Sequence, residues 1–456
     1  MEPAGSIADA LAEWVGRQRW FVGASTRPTL RIVAALPFPA DSDVPVVIYF
    51  VADETEDPAV IYQVPVAWRR RRPDAAVDGF ITTMTDDRGV GWSLYDGPWD
   101  PAFTHPLLRL MVDGQTVGDD RVQAWGVPGA PWPVTNVRSR VLRGEQSNTS
   151  IVYSHDGPDA QTPVICKIFR MVHHGQNPDV VLQSALFAAG SDSVPAIFGS
   201  VASRWPDPER PDGQAYGHLA FAQQFLSGAE DAWLLALDAV GSADFSDSAR
   251  QLGTVTADVH DTLARVLPTR AATADDVAAA EGAWQVRLDA AIREVPELET
   301  LRRRIQRLYD SAAALPWPRL QLIHGDLHLG QILAVPNGGW VIIDFEGEPM
   351  RPLAERSVPD LPLRDVAGML RSFDYVAGCR PGRAAAEWAS ACRAAFIEGY
   401  RRRSGPGTSV EGALLDAFEL DKALYEVVYE ARNRREWLPI PIGAVRRLAA
   451  RIDARQ

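Results

Sequence analysis

The chain has 456 residues, 46% of them hydrophobic and 9% aromatic, enough to bury a large core. At roughly 150 residues per domain the length corresponds to about three units. The net charge of −13 argues against a polyanion such as nucleic acid as the main partner, though a single nucleotide needs only a local positive pocket and a metal.

Residues 1–90 read as a separate module. Ile7–Trp14 has helical spacing, Arg17-Gln18-Arg19-Trp20 follows, and strand-like runs lie at Leu30–Ala35, Val44–Val51 and Ala59–Val66. The basic run Arg69–Arg72 solvates a turn beside Pro73 and Asp74 or binds an anion, the turn being preferred and the run left unassigned. Residues 91–228 are mixed. A helix at Phe103–Val112 precedes the Pro/Gly-rich connector Val127–Pro133. Strands are expected near Val137–Arg143, Thr149–Ser154 and Pro163–Phe169, with a polar loop at Gly144–Asn148 and a turn at Asp156–Gln161. Asn177-Pro178 starts a helix, as capping residue and first helical position, and Gly190 ends it.

From 229 to 456 helices dominate. Ser248–Ala264, Ala271–Glu294, Val366–Val376, Ala384–Arg402 and Gly412–Arg432 carry helical periodicity, and Arg319–Phe345 interrupts them with β structure. The fold class expected is α+β: a mostly-β N-terminal subdomain, a β-plus-helix region, then a helical region with a β insert.

Cys166, Cys379 and Cys392 are too widely spaced for a zinc signature or a disulfide framework, and read as thiols of a reducing compartment. The N-terminus lacks the order of a signal peptide. No stretch approaches the ~18 apolar residues of a membrane span. A cytoplasmic enzyme without a membrane or nucleic-acid partner is expected.

The densest chemistry lies in His324-Gly325-Asp326-Leu327-His328-Leu329-Gly330-Gln331, followed by a hairpin that ends in Asp344-Phe345-Glu346-Gly347-Glu348-Pro349. Phosphoryl transfer needs a carboxylate to accept the nucleophile's proton, oxygen ligands for magnesium and a cation on the phosphates. In kinases the base precedes an amide metal ligand by about five residues, and a second Asp follows a hairpin strand. Asp326, Gln331 and Asp344 have this spacing, with Gln in place of the usual Asn. Hard oxygen ligands suit magnesium. His324 is expected to hold the loop by hydrogen bonds. Lys167, one charge in the apolar strand Val164–Phe169, is the candidate phosphate cation. The alternative for it is a lysine that snorkels from an edge. Asp365 opens a helix, which it caps unless it braces the loop.

Together with Gln146–Ser150, Glu419–Pro441 and the Arg17–Trp20 entry, these motifs resemble actinobacterial maltokinases, relatives of the aminoglycoside phosphotransferase superfamily. The resemblance covers essentially the whole chain. It implies a two-lobed protein-kinase-like fold with an N-terminal cap. It also implies ATP-dependent phosphorylation of maltose at the anomeric hydroxyl, giving maltose 1-phosphate for α-glucan (glycogen) synthesis. On it, Asp326 is the base, Gln331 and Asp344 hold Mg2+, and Lys167, Ser147, Asn148 and Thr149 meet the ATP phosphates. Gln223 and Phe225 belong to the adenine hinge. Asp326, His328, Lys422, Tyr425, Glu426 and Tyr429 meet the sugar. The enzyme would be a monomer, associated at most with other α-glucan enzymes. On spacing alone the face Lys422/Tyr425/Glu426/Tyr429 reads as a surface helix with a Lys422–Glu426 salt bridge, and the resemblance reverses that reading. The chain departs from the family at Val181, where a Glu usually pairs with the lysine; Asp179 is the substitute the sequence offers, from a different face of the helix. Kinases of other sugars, such as glucosamine, and a pseudokinase regulator are the alternatives.

Overall fold

A computed structural model describes residues 4–23, 26–39, 43–55, 57–70, 78–86, 88–144, 147–155, 162–336, 338–348, 353–404 and 412–454. The expected turn at Asp156–Gln161, Arg71 and Arg72 of the basic run, and Glu145 and Gln146 of the polar loop lie outside the described residues, as do Asn337 and Pro349. The chain forms two compact units: residues 1–180 with 195–227, and residues 181–194 with 228–456.

The first unit opens with helix α1 (Ala4–Val15) and a sheet built from β1 (Leu30–Phe38), β2 (Val46–Asp53), β3 (Val60–Arg69), β4 (Phe80–Thr85) and β5 (Gly91–Asp96). The sheet order is β1-β2-β3-β5-β4, all antiparallel. Its β-branched and aromatic runs bury one layer against α1, where Leu11, Trp14 and Trp20 pack on Tyr62, Val64 and Leu94. Arg170 lies buried between Trp20, 4.9 Å from the ring centroid, and Asp96, on which its Nη1 closes at 2.9 Å. Burial pushes the Asp96 carboxyl up even against that guanidinium.

Helix α2 (Pro101–Asp113) is capped by Asp100, whose carboxylate accepts from Ala102 N at 2.9 Å. Then come β6 (Thr116–Gly118), β7 (Gln123–Pro128), β8 (Val137–Val141), β9 (Thr149–His155), β10 (Val164–Ile168) and β11 (Met171–Val172), which pairs with β3. Helix α3 begins at Pro178 and runs to Ala188. Asn177 caps it by accepting from Asp179 N at 2.8 Å, and Gly190 adopts φ +76° just beyond its end. The hairpin β12 (Ile197–Pro206) and β13 (Gln214–Gln224) completes a seven-stranded sheet in the order β6-β7-β12-β13-β10-β9-β8.

In the second unit β14 (Glu230–Asp231) precedes helices α4 (Ala232–Ala239), α5 (Ser246–Val266), α6 (Ala274–Glu294) and α7 (Arg302–Ala313). The predicted β insert is the hairpin β15 (Ile332–Ala334) and β16 (Trp340–Ile342), with β14 paired to β15. Helices α8 (Leu353–Arg356), α9 (Leu363–Cys379), α10 (Arg383–Ser404), α11 (Ala413–Asn433) and α12 (Pro439–Ala454) follow. One core of leucines, valines and aromatics joins these helices to Leu327, Leu329, Ile332 and Phe345. It therefore fixes the floor on which the motif residues stand. The α+β expectation holds. Among the described residues, no helix is long and apolar enough to cross a membrane.

Candidate active site

Residues 324–331 form no helix or strand except one short helical turn at Leu329–Gln331, so side chains must hold them. Asp365, fully buried in the first turn of α9, does so. Its Oδ2 accepts from His324 N at 2.9 Å and its Oδ1 from Gly325 N at 2.8 Å. His260 of α5 closes on the same carboxylate with Nε2 at 2.9 Å, and His260 Nδ1 lies 2.8 Å from the Tyr400 hydroxyl of α10. Burial opposes the Asp365 charge, but these donors outweigh it and hold the carboxyl below its usual range. Pro362 stands at the helix cap with no side-chain cap bond. Of the two readings of Asp365, the bracing one is what the geometry contains.

Gly325 adopts φ +83°, and a Cβ there would approach Gly347 Cα to 3.2 Å. The left-handed backbone favours glycine here, and a Cβ would also make Gly347 give by a few tenths of an ångström. His324 donates from Nε2 to Ile343 O at 3.0 Å and accepts from Asp326 N at 3.3 Å, which ties the loop to the end of β16. His328 accepts from Gly330 N at 3.1 Å and caps the short turn. Burial pushes its imidazole pKa down.

Gln331 and Asp344 are adjacent: Nε2 lies 3.3 Å from Oδ2. Asp344 has φ +66°, one of two non-glycine residues in that region among those described. Such a conformation costs energy and concentrates where a side chain must point in a special direction. The Gln331 amide nitrogen faces the carboxylate here; turned over, the amide would offer its oxygen, and with the carboxylate that is a hard donor set that fits magnesium.

Asp326, the expected base, meets Lys422 of α11, whose ammonium lies 3.0 Å from Asp326 Oδ1 and 2.7 Å from Glu348 Oε1. The surface-helix alternative, a Lys422–Glu426 pair, is therefore not what forms. Burial disfavours the ammonium, but Glu348 and Asp326 more than compensate and hold its pKa up. Burial alone would raise Glu348, yet Lys422 brings it down to about 2. Tyr425 lies under Lys422, with Nζ 5.3 Å from its ring, and stacks with exposed Tyr429 at 6.5 Å. Glu426 is buried and bonds Arg371 Nε at 2.8 Å. It faces the helix bundle, unlike the other three residues of its predicted face. Arg371 also reaches Asp374, which Arg393 and Arg447 share, so α9, α10, α11 and α12 meet in one charge network.

In the first unit Lys167 sits on β10, in register with Ser150 of β9 and Phe221 of β13. Its Nζ lies 2.8 Å from Asp179 Oδ2, whose side chain is wholly buried. The carboxylate missing at Val181 is thus supplied two residues earlier, from the first turn of α3. Thr149 is engaged elsewhere, its hydroxyl accepting from Arg170 Nε at 2.8 Å. Ser147 is exposed and Asn148 half-buried. Gln223 Oε1 is buried with no hydrogen-bond partner among the described residues, and Phe225 N donates to Pro163 O at 2.8 Å. Two residues had not been assigned these roles from sequence, Glu348 and His260; Asp179 is the substitute partner that the sequence offers Lys167, and the structure pairs the two. Asp179 was signalled by its place in a helix's first turn. Nothing in the sequence signals His260.

Residues 14–100 match the maltokinase N-terminal cap domain, and residues 152–406 match the phosphotransferase enzyme family (APH). A glucosamine kinase of Streptacidiphilus jiangxiensis is 29% identical over 385 residues, covering 77% of this chain and 82% of that one. One of Mycolicibacterium smegmatis is 28% identical over 381 residues, covering 77% and 90%. A solved glucosamine kinase, in complex with glucosamine, ADP and inorganic phosphate, aligns over 98% of this chain and 100% of its own with a TM-score of 0.70 at 22% identity. That likeness establishes the fold: kinase-like and two-lobed, with a β-rich N-terminal cap and a helical C-terminal part.

Proposed function

Because the chain belongs to the phosphotransferase enzyme family, and its relatives are sugar kinases by name, we propose that it transfers the γ-phosphoryl group of ATP to a hydroxyl of maltose. The observation that carries the transfer reading is the carboxylate of Asp326, on a loop pinned by Asp365 and oriented by Lys422 at 3.0 Å. In this reading Asp326 accepts the proton of the attacking sugar hydroxyl. The freed oxygen bonds to phosphorus as the bond to ADP breaks, and the proton leaves on the carboxylate. Gln331 and Asp344 would hold magnesium, which neutralises phosphate charge when bound. Lys167, oriented by Asp179, is assigned to phosphate oxygens, and Gln223 with Phe225 to the adenine. Lys422, Tyr425 and Tyr429 are assigned to the sugar, offering a donor and ring faces.

The maltose reading is supported by the cap-domain match over residues 14–100 and by the Lys/Tyr helix. Glucosamine is the second reading, and it is favoured by the names of the relatives. A sugar panel with ATP and magnesium, followed by ADP release and product analysis, separates them. Maltose 1-phosphate is expected. Strong turnover of glucosamine with none of maltose overturns the maltose reading, and no transfer to any sugar overturns the sugar-kinase reading.

A further inference from the structure

We propose that Lys422 determines sugar specificity: its ammonium fills the seat that a protonated amino sugar would need, so the site takes neutral sugars. The inference rests on the sugar-kinase reading above.

Asp326 and Glu348 flank Lys422 Nζ at 3.0 and 2.7 Å. Two carboxylates at that spacing are what a substrate ammonium would bind. The chain has put its own cation there, with side-chain exposure of only 20%. The carboxylates around it are committed as well. Glu426, one turn along α11, faces Arg371. Asp421 faces Arg287 of α6 and Arg364 of α9, and Arg364 also holds Asp360. His328, on the loop, has its imidazole pKa lowered by burial and adds no negative charge. Tyr425 lies beneath the ammonium. An incoming ammonium must displace Lys422 or settle beside it. The repulsion between two like charges ~5 Å apart is worth about 100-fold or more at an effective ε of about 20, and Glu348, already paired with Lys422 and facing Arg287 and Arg364, offsets little of it.

A neutral sugar meets no such obstacle. An ammonium group has three protons to donate. Lys422 directs two of them at Asp326 and Glu348. The third suits the lone pairs of a sugar hydroxyl, and an ammonium on the sugar offers none. Lys422 thus favours oxygen over protonated nitrogen at the substituent that faces it.

The test compares kcat/KM for maltose, glucose and glucosamine across pH, using the full chain with ATP and magnesium. The wild type is expected to prefer its best neutral sugar over glucosamine by about 100-fold at slightly acid pH. The gap should narrow as pH rises and the sugar amine loses its proton. Lys422→Met should close the acid-side gap at least tenfold, whereas Lys422→Arg should keep it. Lys422→Met will slow neutral sugars too, so the ratio and its pH profile are the readout. Equal or better use of glucosamine by the wild type overturns this inference and leaves the sugar-kinase reading standing, as does an unchanged ratio in Lys422→Met. No transfer to any sugar overturns both. If Lys422→Met does not fold, the wild-type pH profile decides: a gap independent of pH overturns the proposal.

Discussion

At the scale of single residues, two ion pairs, Lys422–Asp326 and Lys167–Asp179, hold the residues of the proposed chemistry. Asp326 is proposed as the base, and general-base contributions run about 10² to 10⁴ in rate. Asp326→Asn keeps the shape of the side chain and its neighbours, so it should fold with a normal melting curve and lose at least ~10²-fold in kcat. Wild-type turnover in that variant would remove Asp326 from the role. Asp179 holds Lys167 at 2.8 Å in a position where the lysine side chain is 15% exposed. Asp179→Asn should leave the lysine poorly aimed. The expectation is a KM for ATP raised about tenfold, equivalent to ~1.4 kcal/mol, with the KM for sugar unchanged. The carboxylate at 179 was readable as the first-turn acid of a helix. Its pairing with Lys167 could be named as the substitute for the missing Glu but not placed, because how α3 sits against β10 is a tertiary fact. Glu426 shows the converse. Helical spacing put it with Lys422, Tyr425 and Tyr429, but spacing cannot say where the bundle's edge falls, and Arg371 draws Glu426 inward.

At the scale of elements, helix packing governs the 324–331 loop. Gly368 of α9 faces Leu327, and a Cβ there would stand 2.4 Å from the Leu327 carbonyl oxygen. Gly368→Ala must push loop and helix apart. Overpacking of this kind costs about 1–3 kcal/mol. Lower thermal stability together with a larger proportional loss of kcat is expected. Unchanged kcat would mean that loop position is not set by α9. Helices α1–α3, α5, α6 and α9–α11 were legible from periodicity and caps, and β1–β3 and β8–β10 from apolar runs bounded by turns, whereas α4, α7, α8 and α12 were not assigned. Strands β4–β7 and the β12–β13 hairpin were not assigned. Most of β12 is buried on both faces, which removes the alternation that marks a half-exposed strand. The polar Pro/Asp/Gly segment between its strands was the usable signal. The loop at 324–331 was legible because motif spacing needs no secondary structure.

At the scale of the whole molecule, buried charge makes stability depend on acid. Glu348 and Glu419 sit near 2, well under the ordinary 4.5. In both, burial pulls upward and is outweighed, by Lys422 for Glu348 and by Arg393, Arg447 and Arg371 for Glu419. A carboxyl depressed in the folded state binds protons more readily when unfolded. Its stabilisation is therefore complete above pH 4.5 and is lost as pH falls toward 2. Denaturant midpoints should drop from about pH 5 to about pH 3, and Glu419→Gln should flatten that drop. A midpoint as high at the acid end would refute the account.

The carboxylate of Asp365 binds segments far apart in sequence: α5 through His260, α9 through its own backbone, and the loop through two amides. Those two amides, His324 N–H and Gly325 N–H, belong to no ladder or helix, yet they are locked against a buried anion. Their protons should therefore resist exchange with deuterium like those of a packed helix. Exchange at both should be released together when the α5–α9 packing opens, making a stretch of coil report on the cohesion of the bundle beneath it.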